Sequence, residues 1–344
     1  MNVGIVGSTG YGGVELHRLL SNHPAVDECI LYSSSIKGDS YAGQYPHLTG
    51  LTNGRIREIQ IDEMKELDAV FLAVPAGISK EMTPKLLDGK AKVIDLSGDL
   101  RLQDPKEYED WYKGGAADPA ILKEAVYGLT ECNQVAIKEA DLIANPGCFP
   151  TASLLALAPL IQNKLIKPDS IIIDAKTGLS GAGRKPSLSS HFSETQENLR
   201  IYKVHEHQHT PEIEQQLKRW DTDTGPITFS THLIPMTRGI MATVYCDLQK
   251  EKTTGELHEE YLRFYSGSPF VRIRPIGQYP GTKEVFGTNF CDIAIKADSR
   301  TGRVTIVSVI DNLIKGAAGQ AVQNMNLLFG HEETAGLHYY PIYP

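Results

Sequence analysis

Cys148 stands in NPGCFPT, directly before the apolar run ASLLALAPLI, and His205, His207 and His209 alternate in HEHQHTPE. Pro150 and Thr151 mark a helix start after the cysteine, because proline is tolerated in a first turn whose N–H groups lack partners. The positive pole of a helix favours thiolate over thiol, and a thiolate is a nucleophile. Plain packing is the competing reading, since cysteine is among the residues most often buried. A base elsewhere in the chain weighs for chemistry. In an extended segment the three alternating histidines share one face, as in metal sites and acid/base clusters. No cysteine lies at ligand spacing from them, so no metal site is expected. A polar loop without function is the remaining alternative.

A second chemical group opens the chain. GIVGSTGYGGVELHRLL spaces Gly7, Gly10 and Gly13 between a first strand and a first helix, with Ser8, Thr9, Tyr11 and Gly12 completing the turn. Such glycines allow a tight turn and close approach of a pyrophosphate to the helix N-terminus. An NAD-binding fold usually places an acid at the end of its second strand, whereas ILYSSSIKGD supplies Ser33, Ser34, Ser35 and Lys37. Hydroxyls and a cation suit a 2′-phosphate, hence NADP; Asp39 close behind keeps NAD open.

The elements that must carry these residues follow from periodicity. Strands are expected at 2–6, 28–32, 69–74 and 92–95, and helices at 12–21, 79–87 and 105–112. This βαβ alternation implies an α/β chain whose first domain is a Rossmann-type parallel sheet. After a helix over 149–161, the runs IIIDAKTG, ITFSTHLIPM, GIMATVYCDL, FVRIRPI, FCDIAIKAD and RVTIVSVI, with one helix at 254–265, predict an α+β domain with a mixed or antiparallel sheet. An amphipathic helix from Lys315 to Phe329 is expected to return to the first domain. The division is therefore 1–147 with 312–344 for the cofactor, and 148–311 for catalysis, substrate and oligomerisation.

With 344 residues, 41% hydrophobic, the chain is long enough for two cores. Its net charge of -8 comes from interspersed acids and bases, which argues against nucleic acid as a partner. No stretch approaches the roughly 20 apolar residues of a membrane span, and the opening residues read as a strand rather than a signal peptide. Five scattered cysteines suit neither a disulfide framework nor a CxxC site, so reduced thiols and a cytoplasmic location are expected.

The motifs GIVGSTGYGGVEL, VIDLSGDLRL, AVYGLTE, ANPGCFPTA, KTGLSGAGRK, HQHTPEIEQ, HLIPMTRGI and DNLIKGAAGQAVQNMN span nearly the whole chain in order. Together they resemble the type 1 N-acetyl-gamma-glutamyl-phosphate reductases of arginine biosynthesis, relatives of aspartate-semialdehyde dehydrogenase. The resemblance implies Cys148 as nucleophile and His209, with His207 beside it, as acid/base. It implies cofactor contacts at residues 8–13 and 33–37, at Pro75 and Ser97, at the loop Ser180, Gly181, Ala182, Gly183, and at Asn312. The acyl-phosphate substrate would be held by Arg101, Asn145, Arg184, Lys185 and Arg238, and a homodimer or homotetramer is expected. Three positions depart from related patterns. Ala76 replaces a common histidine and Thr130 a proline, while Ile240 stands where aspartate-semialdehyde dehydrogenases tend to have histidine. The rivals are a carrier-linked aminoadipyl-phosphate reductase, an aspartate-semialdehyde dehydrogenase and a non-catalytic NADP-binding sensor.

Overall fold

In a computed structural model that describes residues 1–343, the chain divides into two compact units. One comprises Met1–Pro146 with Ala317–His338; the other comprises Gly147–Gly316 with the segment from Tyr339 onward. The change of unit falls after Gly316 rather than at 312 because Asp311 and Asn312 are tied into the second unit. Asp311 Oδ1 accepts from the Leu313 and Ile314 N–H groups, and Asn312 Oδ1 accepts from Gly239 N–H at 2.8 Å. The final segment is held likewise, with Ile342 N–H donating to Phe286 O.

The first unit is a sheet of β1 (Asn2–Val6), β2 (Glu28–Tyr32), β3 (Ile56–Arg57), β4 (Ala69–Leu72), β5 (Lys92–Asp95), β6 (Val126–Tyr127) and β7 (Leu142–Ala144). Its order is β3-β2-β1-β4-β5-β7-β6, and every pairing is parallel. A parallel sheet is covered on both faces, so its strands read as apolar runs: all four residues of β4 are fully buried. β3, β6 and β7 escape a reading by periodicity because they are only two or three residues long. β4 ends at Leu72, two residues before the expected limit.

The closing helix departs from the amphipathic expectation. It begins as a π turn over Ile314–Ala318 and continues as an α-helix over Gly319–Leu328 whose ten residues are all buried. Its side-chain amide N–H groups replace water with fixed partners. Gln320 Nε2 donates to Gly128 O and Thr130 Oγ1, Asn324 Nδ2 to Gly128 O and Asn145 Oδ1, and Asn326 Nδ2 to the carbonyls of Glu333 and Ala335. Polar groups satisfied in this way can be buried without a large penalty.

The second unit holds β8 (Ile172–Thr177), β9 (Arg200–Tyr202), β10 (Thr228–Leu233), β11 (Ile240–Asp247), β12 (Val271–Ile273), β13 (Cys291–Asp298) and β14 (Arg303–Ile310). The order is β12-β13-β14-β11-β8-β10-β9. The sheet is mixed: β8 with β10 and β12 with β13 are parallel, and the remaining neighbours antiparallel. The helices Cys148–Gln162 and His209–Trp220 pack on one another, and the first lies against β11 and β14. Pro159 lies inside that helix and has no N–H for the carbonyl of Leu155. Tyr265 Oη donates to that carbonyl instead, and Tyr261 Oη to the next one, of Ala156, both at 2.5 Å.

Candidate active site

In the second unit Cys148 is the first residue of its helix, with Gly147 as N-cap in an extended conformation. The next thirteen residues are buried, so the helix start is a fixed point of the core. Gly147 N–H donates to the fully buried Glu212 Oε1 at 2.8 Å, and Thr151 N–H bonds back to Gly147 O. The N–H groups ahead of Thr151 belong to the helix end that favours negative charge. Gly316 lies against the other side of the cysteine. Tyr202, at the end of β9, has a phenol close enough to Cys148 to feel its charge, and burial together with that charge pushes the phenol pKa upward.

The three histidines separate. His205 is exposed and has φ 57°, so residues 203–206 form a turn and the expected shared face does not exist. A left-handed residue cannot continue an extended alternation. His207 and His209 are both buried with ring centroids 4.7 Å apart, and both pack edge-on against Phe149, at 5.4 and 6.0 Å. His207 also meets the rings of Tyr202 and Phe229. Its Nδ1 accepts from His209 N–H at 3.1 Å, which fixes the neutral tautomer protonated on Nε2. Burial, with help from the charge of Lys203, pulls the His207 pKa down to about 3. His207 is thus a neutral packing residue that orients the start of the next helix, and His209 is the first residue of that helix.

Asn312 links two further predicted elements within the second unit. Its Nδ2 donates to Ser180 Oγ at 3.0 Å while its Oδ1 takes Gly239 N–H, joining the loop Leu179–Ala182 to the turn that carries Arg238. Gly181, Ala182, Gly183, Arg184 and Lys185 are exposed, and Arg238 Nη1 lies 3.6 Å from the buried Asp311 carboxylate. Ile240 begins β11 as a buried apolar residue.

In the first unit the glycine turn is built by steric need at two of its three glycines. Gly7 has φ +81°, and a Cβ there would lie 2.2 Å from Ala73 O. A Cβ on Gly13 would lie 2.4 Å from Gly7 O, whereas one on Gly10 would meet nothing nearer than 3.5 Å. Gly10 caps the helix Tyr11–Leu20 without a side-chain bond, which leaves the first N–H groups to an anion. Tyr41 Oη donates to Ser8 O and Tyr45 Oη to Thr9 O, bracing the loop from outside. Pro75 and Ala76 are exposed beyond β4, and the N–H of Gly77 is held by Asp99. This cradle fits a dinucleotide pyrophosphate.

Ser97, Arg101 and Asn145 are more engaged than the sequence suggests. Ser97 donates by N–H and Oγ to Asp95, whose carboxyl is pushed up to about 6 chiefly by burial. Arg101 Nε donates to Asn145 O at 2.8 Å and its Nη2 to Leu96 O. Asn145 Nδ2 donates to Ala317 O. Thr130 opens a helix, a position open to proline, and its hydroxyl is met by Gln320. Sequence reasoning missed Tyr202, Glu212 and Gly316. Of these only Glu212 had a local signal, as the residue three beyond His209 on the same helix face.

Two family models match the chain: "Semialdehyde dehydrogenase, NAD binding domain" over residues 2–140 and "Semialdehyde dehydrogenase, dimerisation domain" over residues 148–312. The N-acetyl-gamma-glutamyl-phosphate reductase of Bacillus subtilis (strain 168) is 62% identical over 345 residues, covering 100% of both chains. That of Geobacillus stearothermophilus is 56% identical over 344 residues with the same coverage. Among solved structures, aspartate semialdehyde dehydrogenase II from Vibrio cholerae, complexed with ASA, superposes with TM-score 0.72 at 17% identity, covering 96% of this chain and 98% of that one. The Candida albicans aspartate semialdehyde dehydrogenase with NADP gives 0.68 at 15% identity, covering 95% and 98%. At such identities the structural likeness shows the fold alone.

Proposed function

This chain belongs to the N-acetyl-gamma-glutamyl-phosphate reductase family, and on that premise we propose that it reduces N-acetyl-L-glutamyl 5-phosphate to N-acetyl-L-glutamate 5-semialdehyde and phosphate, in arginine biosynthesis. The observation that carries the reading is Cys148 at the first position of a buried helix, with Tyr202 beside it and the His207–His209 pair packed on the next residue. The thiolate attacks the acyl carbon, the C–O bond to phosphate breaks, and a thioester forms on Sγ. NADPH, when bound, supplies the hydride that reduces this thioester. The N–H groups at the start of the Cys148 helix stabilise the tetrahedral oxyanion. His209 donates a proton as the thiohemiacetal forms and removes one as it collapses to aldehyde and thiol. The assignment to His209 is supported by the work His207 already does as a neutral acceptor in an aromatic cluster.

Cofactor recognition is assigned to the turn of residues 7–13, to Ser33–Lys37, to Pro75 and to the Ser180–Gly183 loop with Asn312. Arg184, Lys185 and Arg238 bind the substrate carboxylate and phosphate: the two guanidinium groups hold either in bidentate fashion, and the Lys185 ammonium adds a point charge. For Ser97, Arg101 and Asn145 the hydrogen bonds already made favour a supporting part. A homodimer or homotetramer is assigned, in line with the match to a dimerisation domain. No helix among the described residues is long and apolar enough to cross a membrane. Five cysteines at scattered positions, without framework spacing, accord with a reducing, cytoplasmic setting.

The test is the reverse reaction with NADP+, phosphate and either N-acetyl-L-glutamate 5-semialdehyde or aspartate semialdehyde. NADPH should appear with the first only. Formation with aspartate semialdehyde alone would move the chain to the other branch, and none with either would leave a nucleotide-binding sensor.

A further inference from the structure

Strand register brings an acidic residue to a place that sequence order conceals. β2 and β3 pair in parallel with Tyr32 opposite Arg57, so Ser33 and Glu58 leave the sheet side by side. Ser33 N–H donates to Arg57 O at 3.1 Å. Ser33, Ser34, Ser35, Lys37, Glu58 and Ile59 line one cleft of about 290 Å³. Within it Lys37 Nζ is 3.2 Å from Glu58 Oε1. Asp39, the acid considered from sequence, is absent from this lining and takes a hydrogen bond from Gln44. Arg57 is directed to Glu28 and Glu63, and Arg55 Nη1 donates to Gly38 O.

We propose that Glu58 sets the discrimination between 2′-phosphorylated and 2′-hydroxyl dinucleotides by lowering the affinity of this cleft for the phosphate. The inference rests on the reading that this unit binds NADP. Lys37 and Glu58 are 69% and 60% exposed, so their pairing does little to hold Lys37 in place. A phosphate monoester carries a charge of about -1.5 to -2 near neutrality. Its attraction to Lys37 is offset by repulsion from the carboxylate that shares the same ammonium group. A ribose hydroxyl carries no charge and can donate a hydrogen bond to Glu58. Neutralising Glu58 therefore acts on the phosphate far more than on the hydroxyl.

Calorimetric titration of the full chain with NADP+, NAD+, 2′,5′-ADP and 5′-AMP tests this directly. Glu58→Gln should tighten NADP+ and 2′,5′-ADP by roughly fivefold at low ionic strength, and leave NAD+ and 5′-AMP within about twofold. The gain should shrink in about 0.5 M salt, where charges on an exposed cleft are screened. Adding Lys37→Gln to the Glu58→Gln variant should abolish the gain. Unchanged or weaker NADP+ binding in Glu58→Gln overturns the proposal, as does equal tightening of all four nucleotides. Wild-type protein that binds neither NADP+ nor NAD+ would overturn the cofactor reading itself, an outcome distinct from a failure confined to the variant.

Discussion

Gly316 lies directly against Cys148: a Cβ on residue 316 would stand 2.7 Å from the Cβ of the cysteine and 3.2 Å from its Cα. Gly316 sits in the π turn after β14, where its N–H donates to Asp311 O at 3.0 Å. The cysteine is thereby located twice, by its own helix start and by a turn nearly half the chain away. A nucleophile located from two sides loses little freedom when it reacts, which favours attack in one orientation.

Gly316→Ala is expected to push Cys148 out of register. Overpacking of this kind destabilises by about 1–3 kcal/mol. Turnover should fall roughly tenfold or more, because small misplacements of a reacting atom are amplified in the rate. Urea denaturation and the rate of iodoacetamide labelling of Cys148 report the two effects. Wild-type values for both would show that the contact is slack.

Cys148→Ser should abolish turnover while leaving NADP+ affinity within about twofold, since a hydroxyl is far less ionised than a thiol at a helix N-terminus. Mass spectrometry of wild-type enzyme quenched with acyl phosphate, in the absence of NADPH, should reveal an acyl adduct on Cys148. Turnover of the serine variant at the wild-type rate would contradict the covalent route.

His207 and His209 should fail in different ways. His209→Asn is expected to lower kcat by roughly 100-fold and flatten its pH profile, as for a lost acid/base. His207→Asn should act mainly on stability, and the sign of its pH effect can be derived. His207 has a folded pKa of about 3 against an ordinary 6.5, so the unfolded chain binds the extra proton between these values. Its contribution is present above pH 6.5 and is lost as the pH falls toward 3. Between neutrality and pH 5 the wild type should lose about 2 kcal/mol that the asparagine variant does not. Denaturation curves at both pH values decide the matter; parallel losses in the two proteins would remove His207 from this role.

The three glycines of the first turn should separate into two kinds. Gly7→Ala and Gly13→Ala drive a methyl group into backbone at 2.2 and 2.4 Å, so both should unfold the first unit or destabilise it by several kcal/mol. Gly10→Ala meets nothing nearer than 3.5 Å and should fold normally, with NADP+ affinity the property that drops. Melting curves beside binding isotherms distinguish the cases. Equal destabilisation by all three would mean the turn has one purely structural task.

Tyr265→Phe removes the hydroxyl that serves the Leu155 carbonyl, which Pro159 leaves without its helical donor. A buried acceptor stripped of its partner costs about 1–3 kcal/mol. A midpoint shift of that size in urea, with activity per folded molecule preserved, is the expected result; no shift would imply that water takes over.

Several features were legible in the chain because they depend on near neighbours. The apolar run of β4, the helix start at Cys148 and the glycine spacing of the first turn are set by local sterics and by the alternation of side chains. β1, β2 and β5 therefore have the expected limits, and the helix after Cys148 begins within one residue of its expected start. The histidine segment shows where local pattern stops. His205, His207 and His209 alternate in sequence, yet a left-handed turn at His205 leaves only the later two in the core.

Tertiary structure alone decided which polar groups meet. Glu58 reaches the cleft of Lys37 because two strands pair in parallel, Gly316 reaches Cys148 through a turn after β14, and the closing helix is buried with its amides bonded to Gly128 and Asn145. The physical reason is common to all three. Periodicity and turn chemistry are written within a few residues, whereas the partner of a buried hydrogen-bonding group, or the neighbour of a charge, is chosen by packing between segments far apart in the chain.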